Sequence, residues 1–187
     1  MPADNLSTAT DAIDAEAVRF RTATLEDASR IWQLVADSGV LDLNSRYCYL
    51  LLCRDFSETC LVACQGDRVV GFVAAYLPPQ RSDTVFVWQV GVSAVARRQG
   101  LAKRMLHALV GQPACRDVRY LEATVTPSNG ASRRLFHSFA EELDVPCMTG
   151  QGFTAEMFGS GDHEPEDNFR IGPFDSSEES QAYDGDL

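Results

Sequence analysis

Apolar and polar residues alternate with two different periods along this chain. The alternation Val18-Arg19-Phe20-Arg21-Thr22-Ala23 predicts a first strand. Thr24 and Asp27 form a capping box, after which Ile31, Leu34 and Val35 recur at helical spacing to about Ser38-Gly39. Asn44 or Ser45 opens a second helix, with Tyr47, Leu50, Leu51 and Phe56 as its repeating apolar positions. Thr59 to Cys64 and Val69 to Leu77 read as two strands of a hairpin around Gln65-Gly66-Asp67-Arg68, stopped by Pro78-Pro79. Thr84 to Val92 is the next strand, followed by a helix from about Arg98 to Gly111. Arg119 to Val125 is a strand, and Asn129 to Glu141 a helix with Leu135, Phe136 and Phe139 inward. Asp144 to Met148 reads as a short strand, 149–167 as a Gly-rich loop, and Phe169-Arg170-Ile171 as a last strand. This order predicts an α/β fold, a mixed sheet flanked by helices rather than a doubly wound one.

A chain of 187 residues suits one domain with a full-size core. No run of about 18 apolar residues occurs, so no membrane span is expected. The acidic, polar N-terminus does not read as a signal peptide. Cys48, Cys53, Cys60, Cys64, Cys115 and Cys147 contain no Cys-x-x-Cys pair, which points to free thiols in a reducing cytoplasm. The net charge of −11 is concentrated at the ends. Residues 1–18 hold four acids and residues 173–187 five, with no base in either, which leaves −2 for residues 19–172. The tails, 1–17 and 174–187, are expected to be disordered around a domain spanning 18–173. Acidic ends argue against nucleic acid as a partner. No His/Cys/Asp cluster has metal-ligand spacing, so no metal is expected.

Candidate chemistry begins at Val92-Ser93-Ala94-Val95-Ala96-Arg97-Arg98-Gln99-Gly100-Leu101-Ala102, which joins a strand to a helix. N–H groups at the start of a helix carry partial positive charge, Gly100 lets backbone approach a phosphate, and Arg97 and Arg98 add full charges. The spacing Arg97-x-x-Gly100-x-Ala102 resembles the pyrophosphate loop of the GNAT acyltransferase superfamily. The resemblance implies the GNAT fold across 19–172, with splayed central strands and acetyl-CoA as cosubstrate. It implies that Arg97, Arg98, Gln99, Gly100, Leu101, Ala102 and Lys103 (or Arg104) meet the phosphates. Backbone groups of Val90 and Val92 would pair with the pantetheine arm, and the Val90 N–H would polarise the thioester carbonyl. Asn129-x-x-Ser132-x-x-Leu135-Phe136 resembles a second CoA-contacting segment, although Asn129 also suits a helix N-cap. Phe136 stands near where many members carry a Tyr that protonates the leaving thiolate, so that proton must come from elsewhere.

Three further segments resemble the L-2,4-diaminobutyrate acetyltransferases of ectoine biosynthesis: Val40 to Leu51, Phe86-Val87-Trp88-Gln89-Val90, and His163-Glu164-Pro165-Glu166-Asp167 before Phe169 to Pro173. The implied reaction moves acetyl to the side-chain amine of diaminobutyrate, and a homodimer is implied. A diamine needs acidic groups and an aromatic wall. Asp42 and Tyr47 could converge on one amine, or serve as a cap and a core aromatic. Trp88 could box a cation, or be plain core. The run around His163 and Glu166 could bind the amine under a closing lid, or be a solvated face. The nucleophile must be neutral, and a free alkyl ammonium has a pKa near 10.4. Glu166 is the favoured base, His163 the assistant or relay, and Tyr47 the acid for the thiolate. His107 and His137 read as scaffold. The alternatives are another small amine or a protein N-terminus as acceptor, or a CoA-binding module without turnover.

Overall fold

A computed structural model describes residues 17–159 and 163–174. The seven strands are β1 (Arg19–Thr22), β2 (Leu61–Gln65), β3 (Arg68–Tyr76), β4 (Thr84–Val92), β5 (Tyr120–Val125), β6 (Cys147–Phe153) and β7 (Glu166–Ile171). The helices are α1 (Ala28–Ser38), α2 (Arg46–Asp55), α3 (Leu101–Val110) and α4 (Gly130–Glu142). The strands form one sheet in the order β1-β2-β3-β4-β5-β7-β6, antiparallel except for the β4–β5 pair. Alternate residues of the central strands feed two cores. Val62 and Phe72 meet Ile31, Val35, Tyr49 and Leu52 of α1 and α2. Leu61, Val73, Val85 and Val87 meet Met105, Leu106, Phe136 and Phe139 of α3 and α4.

The parallel pair is short. Thr84, Val85 and Phe86 face Tyr120, Leu121 and Glu122, and the pairing stops there although both strands run on. On its other side β4 pairs Val87 with Ala75 and Gln89 with Ala74, so Trp88 is an inserted residue. A bulge of this kind bends its strand and re-aims the side chains after it. The two strands therefore form a V, closed at Phe86 and Glu122 and open toward their C-terminal ends. At the closed end the buried Glu122 carboxylate takes ion pairs from Arg81 and Arg170, and Arg170 also lies 3.6 Å over the Tyr120 ring.

Several sequence expectations are corrected. The buried face of α2 carries Tyr49, Leu52 and Cys53, whereas Tyr47, Leu50 and Phe56 are 66%, 41% and 42% exposed. The apolar positions of this helix span more than one face, and the alternative set is the one that meets β2 and β3. Helix α3 starts at Leu101 rather than Arg98, because Arg98 (φ 64°) and Gly100 (φ 69°) both adopt the left-handed conformation. The expected loop 149–167 is largely ordered: β6 continues to Phe153, Ala155–Phe158 form a 3₁₀ turn, and β7 already begins at Glu166. Gly152 permits this, since a Cβ there would stand 2.5 Å from the Glu166 carbonyl. No glycine-rich lid remains in 149–159. Phe174 donates its N–H to the Arg119 carbonyl at 2.7 Å and packs on the core. The rest of the two expected tails, 1–16 and 175–187, lies outside the described residues.

The expected capping box is present and does more than cap. Asp27, fully buried, receives two bonds from the Arg21 guanidinium of β1 at 2.6 and 2.9 Å and one from the Thr24 N–H at 2.9 Å. Burial alone would push this carboxyl up, but the Arg21 and Thr24 bonds outweigh it and hold Asp27 below its ordinary 3.8. A carboxylate depressed in the folded state stabilises fully above its unfolded pKa, and that stability is lost as pH falls through the folded value. Asp27→Asn is therefore expected to cost about 2 kcal/mol at pH 7. Urea midpoints of variant and wild type should draw together as pH falls below about 4. A gap that stays constant to pH 3 would contradict the charge pairing.

Candidate active site

The backbone of β4 decides what faces the open V. Ser93 donates its N–H to the Val70 carbonyl at 2.8 Å. Inward and outward N–H groups alternate along an antiparallel ladder. Gly91 and Gln89 thus also bond toward β3, and the N–H groups of Val92 and Val90 point away from it into the gap. Both following helices start at the open end: β4 leads into α3 and β5 into α4. Two helix N-termini with outward N–H groups therefore flank the mouth.

A cavity of about 360 Å³ lies there, lined by Val92, Ala96, Arg97, Arg98, Gly100, Leu101, Ala102 and Lys103, with Leu135 and Ser138 of α4. Of the residues that the sequence nominated for CoA on β4 and in this loop, Val92, Arg97, Arg98, Gly100, Leu101, Ala102 and Lys103 line it, and Val90 and Gln99 do not. The space in front of Gly100 is open, with nothing within 4 Å of where a Cβ would lie. Lys103 pairs with Glu142, which also accepts from His107 at 2.9 Å, and the Lys103 bond holds the Glu142 carboxyl below its usual range. Arg104 turns the other way, its guanidinium 5.2 Å from the Phe20 ring. Asn129 caps α4, its Oδ1 accepting the Ser132 N–H at 3.0 Å; neither residue lines the cavity, where Leu135 and Ser138 represent α4 instead. Phe136 is buried against Phe169. His107 and His137 set their ring edges on Phe139 and Phe169, as scaffold residues do. A second cavity, about 440 Å³, lies on the α1 face and shares Val92 and Arg97.

The acidic run before β7 divides by partner. Glu164 accepts the Ser128 N–H at 3.1 Å, and Asp167 pairs with Arg133 of α4 at 2.6 Å. These two carboxylates clamp the segment to the start of α4 and leave His163 and Glu166 beside Asp42. One ligand atom from each of Asp42, His163 and Glu166 lies within 4.8 Å of the other two. Residue spacing could not reveal this cluster, since residue 42 and residues 163–166 are far apart along the chain. A histidine and two carboxylates could hold a metal ion, and they equally suit an alkyl ammonium group. Phe158 stacks on the His163 ring at 3.8 Å. His163 Nδ1 lies 2.6 Å from the Glu164 carbonyl, which only accepts, so Nδ1 carries a hydrogen. In neutral His163 the lone pair is then on Nε2, which faces Asp42 at 3.9 Å.

Trp88 occupies the bulge, half-buried, 6.4 Å from the Tyr49 ring and packed on the α1–α2 core. Tyr47 projects from the exposed side of the first turn of α2 and is not a core aromatic. Two buried polar residues were missed from the sequence. Tyr49 donates its hydroxyl hydrogen to Gln89 Oε1 at 2.9 Å, and Gln89 Nε2 donates to the Asp42 main-chain carbonyl at 2.7 Å. The available signal was Gln89 itself, one amide inside the apolar run Val85 to Val92.

Comparison with known proteins agrees with this geometry. The model of the acetyltransferase (GNAT) family matches residues 22–140. An L-2,4-diaminobutyric acid acetyltransferase of Marinococcus halophilus is 48% identical over 159 residues, 85% of this chain and 92% of that protein. One from Shouchella clausii is 46% identical over 153 residues, 82% of this chain and 85% of the relative. The solved structure of the Paenibacillus lautus diaminobutyrate acetyltransferase, in complex with L-2,4-diaminobutyric acid and coenzyme A, superposes with a TM-score of 0.82. It is 48% identical, and the match covers 86% of this chain and 97% of that one. The open V, the basic loop at its mouth and these relatives agree: the chain belongs to the GNAT acetyltransferase family, among the L-2,4-diaminobutyric acid acetyltransferases.

Proposed function

We propose that this protein transfers acetyl from acetyl-CoA to the side-chain amine (N4) of L-2,4-diaminobutyrate, giving N4-acetyl-L-2,4-diaminobutyrate for ectoine, a compatible solute. The observation that carries the reading is the convergence of Asp42, His163 and Glu166 in a protein whose β4 and β5 part as a GNAT cleft does. The 48% identity to a relative solved with diaminobutyric acid and coenzyme A supports the same acceptor.

In this mechanism Arg97, Arg98 and the first-turn N–H groups of α3 hold the pyrophosphate, where each charge-assisted bond contributes about 1.5–3 kcal/mol. Val90 and Val92 pair with the pantetheine amides, and the Val90 N–H takes the charge that develops on the thioester oxygen. Asn129 and Ser132, at the capped start of α4 outside the cavity lining, would approach the same cosubstrate as it extends past the helix. Asp42 and Glu166 hold the two ammonium groups, with Trp88 and Tyr47 as aromatic walls. Glu166 accepts a proton from the side-chain ammonium, and His163 positions the amine or relays that proton through Nε2. The neutral nitrogen attacks the carbonyl carbon, the C–N bond forms and the C–S bond breaks. Phe136 offers no proton, so the thiolate takes one from Tyr47 or from water.

A homodimer belongs to this reading, with exposed apolar side chains such as Leu43, Leu50 and Met157 available to meet a second copy. The six cysteines are free. Burial pushes the thiols of Cys53 and Cys60 up to about 12 and 11, which suits inert side chains in a reducing cytoplasm.

Thiol release with diaminobutyrate, ornithine, lysine and a peptide panel tests the acceptor. Diaminobutyrate is expected to give the highest kcat/KM by tenfold or more, about 1.4 kcal/mol of transition-state discrimination. A peptide as the best acceptor would overturn the reading in favour of a protein N-terminus, and no turnover at all would favour a CoA-binding module.

The base assignment has its own test. Wild-type kcat/KM should rise from pH 7 toward about 8–9 as the amine becomes easier to deprotonate. Glu166→Gln should shift that rise to higher pH and lower the plateau by about 10²-fold or more, with His163→Gln affected less. If His163→Gln shows the larger loss and the shifted profile, the base is His163.

A further inference from the structure

Asp42 owes its place to its main chain more than to its side chain. Its carboxylate is 85% exposed, so neighbouring packing does little to hold it. The loop that carries it, 39–45, is pinned instead. Ser38 Oγ accepts the N–H groups of Val40 and Leu41, and the Trp32 indole N–H donates to the Asn44 carbonyl at 3.1 Å. Leu41 packs with Phe72 and Leu34 over the bare backbone of Gly91. Two donors reach the Asp42 carbonyl itself: Asn44 Nδ2 from within the loop at 3.4 Å and, closer, Gln89 Nε2 from β4 at 2.7 Å.

That tie starts on β4, between the inserted Trp88 and Val90, whose N–H faces the gap. Without the bulge, parity would send residue 89 to the opposite face of the sheet. With it, the Gln89 amide reaches the α1–α2 side, where it is 9% exposed. Both ends of the amide are used in one consistent orientation: Oε1 accepts from Tyr49 and Nε2 donates to Asp42. Tyr49 is 1% exposed and fixed on α2, and the Asp42 carbonyl only accepts, so turning the amide would set Oε1 against that carbonyl.

Resting on the acceptor reading above, we propose that Gln89, oriented by Tyr49, is a positioning residue that sets Asp42 at a fixed distance from the thioester-holding stretch of β4. It touches neither the reacting amine nor the thioester. Its role is to couple the strand that serves acetyl-CoA to the loop that serves the diamine. A shift of about 1 Å in such a link is enough to cost an enzyme up to 10²-fold.

Gln89→Glu tests this in the intact protein. The new carboxyl has the same shape. Ionised, it still accepts from Tyr49 but opposes the Asp42 carbonyl; protonated, its O–H restores the donor. The polar groups that meet it are the Tyr49 hydroxyl, itself bonded to Asn44, and the Asp42 carbonyl, and burial there raises the pKa of a carboxyl. At pH 8.5 the KM for diaminobutyrate is expected to rise about tenfold while the KM for acetyl-CoA changes less than about twofold. The ratio of variant to wild-type diamine KM should fall toward one as the pH is lowered to 6. A purely structural role would move both KM values and show no rescue. Tyr49→Phe, which leaves the Asp42 bond in place, should raise the diamine KM in the same direction by a few-fold, and it serves as the readout if Gln89→Glu fails to fold. An active wild type with an unmoved diamine KM in the folded variants, or with both KM values raised equally, overturns the positioning role. A wild type that does not acetylate diaminobutyrate overturns the acceptor reading, and this inference falls with it.

Discussion

Two neighbouring parallel strands that stop bonding halfway along make the rest of this structure possible. Beyond Phe86 and Glu122 the partners of β4 and β5 are withdrawn. An unpaired backbone group buried from water costs about 1–3 kcal/mol. The N–H groups of Val90 and Val92 therefore have to meet water or a ligand that pairs with backbone. The separation is maintained from both ends. At the closed end Glu122 is 3% exposed, and burying a lone carboxylate would cost several kcal/mol. Arg81 and Arg170, arriving from the β3–β4 connection and from β7, remove that cost by pairing with it and so fix three segments at the apex. At the open end the Trp88 bulge bends β4 away.

From this one constraint the two halves of the chemistry follow. The open end receives the N-termini of α3 and α4, and the left-handed turns at Arg98 and Gly100 bring the start of α3 over the mouth. The other side of β4, turned by the same bulge, reaches α2 through Gln89 and holds the loop of Asp42. The acidic trio then forms because Glu164 and Asp167 clamp the segment before β7 to the start of α4. In the proposed mechanism, acetyl donor and amine acceptor are thus served from opposite sides of a single strand.

Features with local causes were legible in the sequence. The hairpin of β2 and β3, the Thr24–Asp27 box and the phosphate loop each follow from turn or cap residues within a few positions of one another. The order of strands and helices also emerged, and with it the GNAT fold. Features with distant causes were not. Residues 149–153 looked like loop because of Gly150 and Gly152, yet Gly152 is glycine so that β7 can approach β6. The wrong face of α2 was chosen because Tyr47 and Leu50 are as apolar as the buried Tyr49 and Leu52, and only the position of β3 separates them. Arg97, Arg98, Gly100 and Lys103 were found by motif, whereas Tyr49 and Gln89 act through a pairing that only the fold creates.

The account is tested most directly by a crystal structure of this protein with coenzyme A and L-2,4-diaminobutyrate bound. It predicts pantetheine amides within hydrogen-bonding distance, about 3 Å, of the Val90 and Val92 backbone, and pyrophosphate at Arg97 to Lys103. It further predicts the side-chain nitrogen of the diamine between Glu166 and the thiol, with Asp42 on an ammonium group and its carbonyl still held by Gln89. Coenzyme A bound outside the gap between β4 and β5, or a diamine that touches none of Asp42, His163 and Glu166, would contradict it.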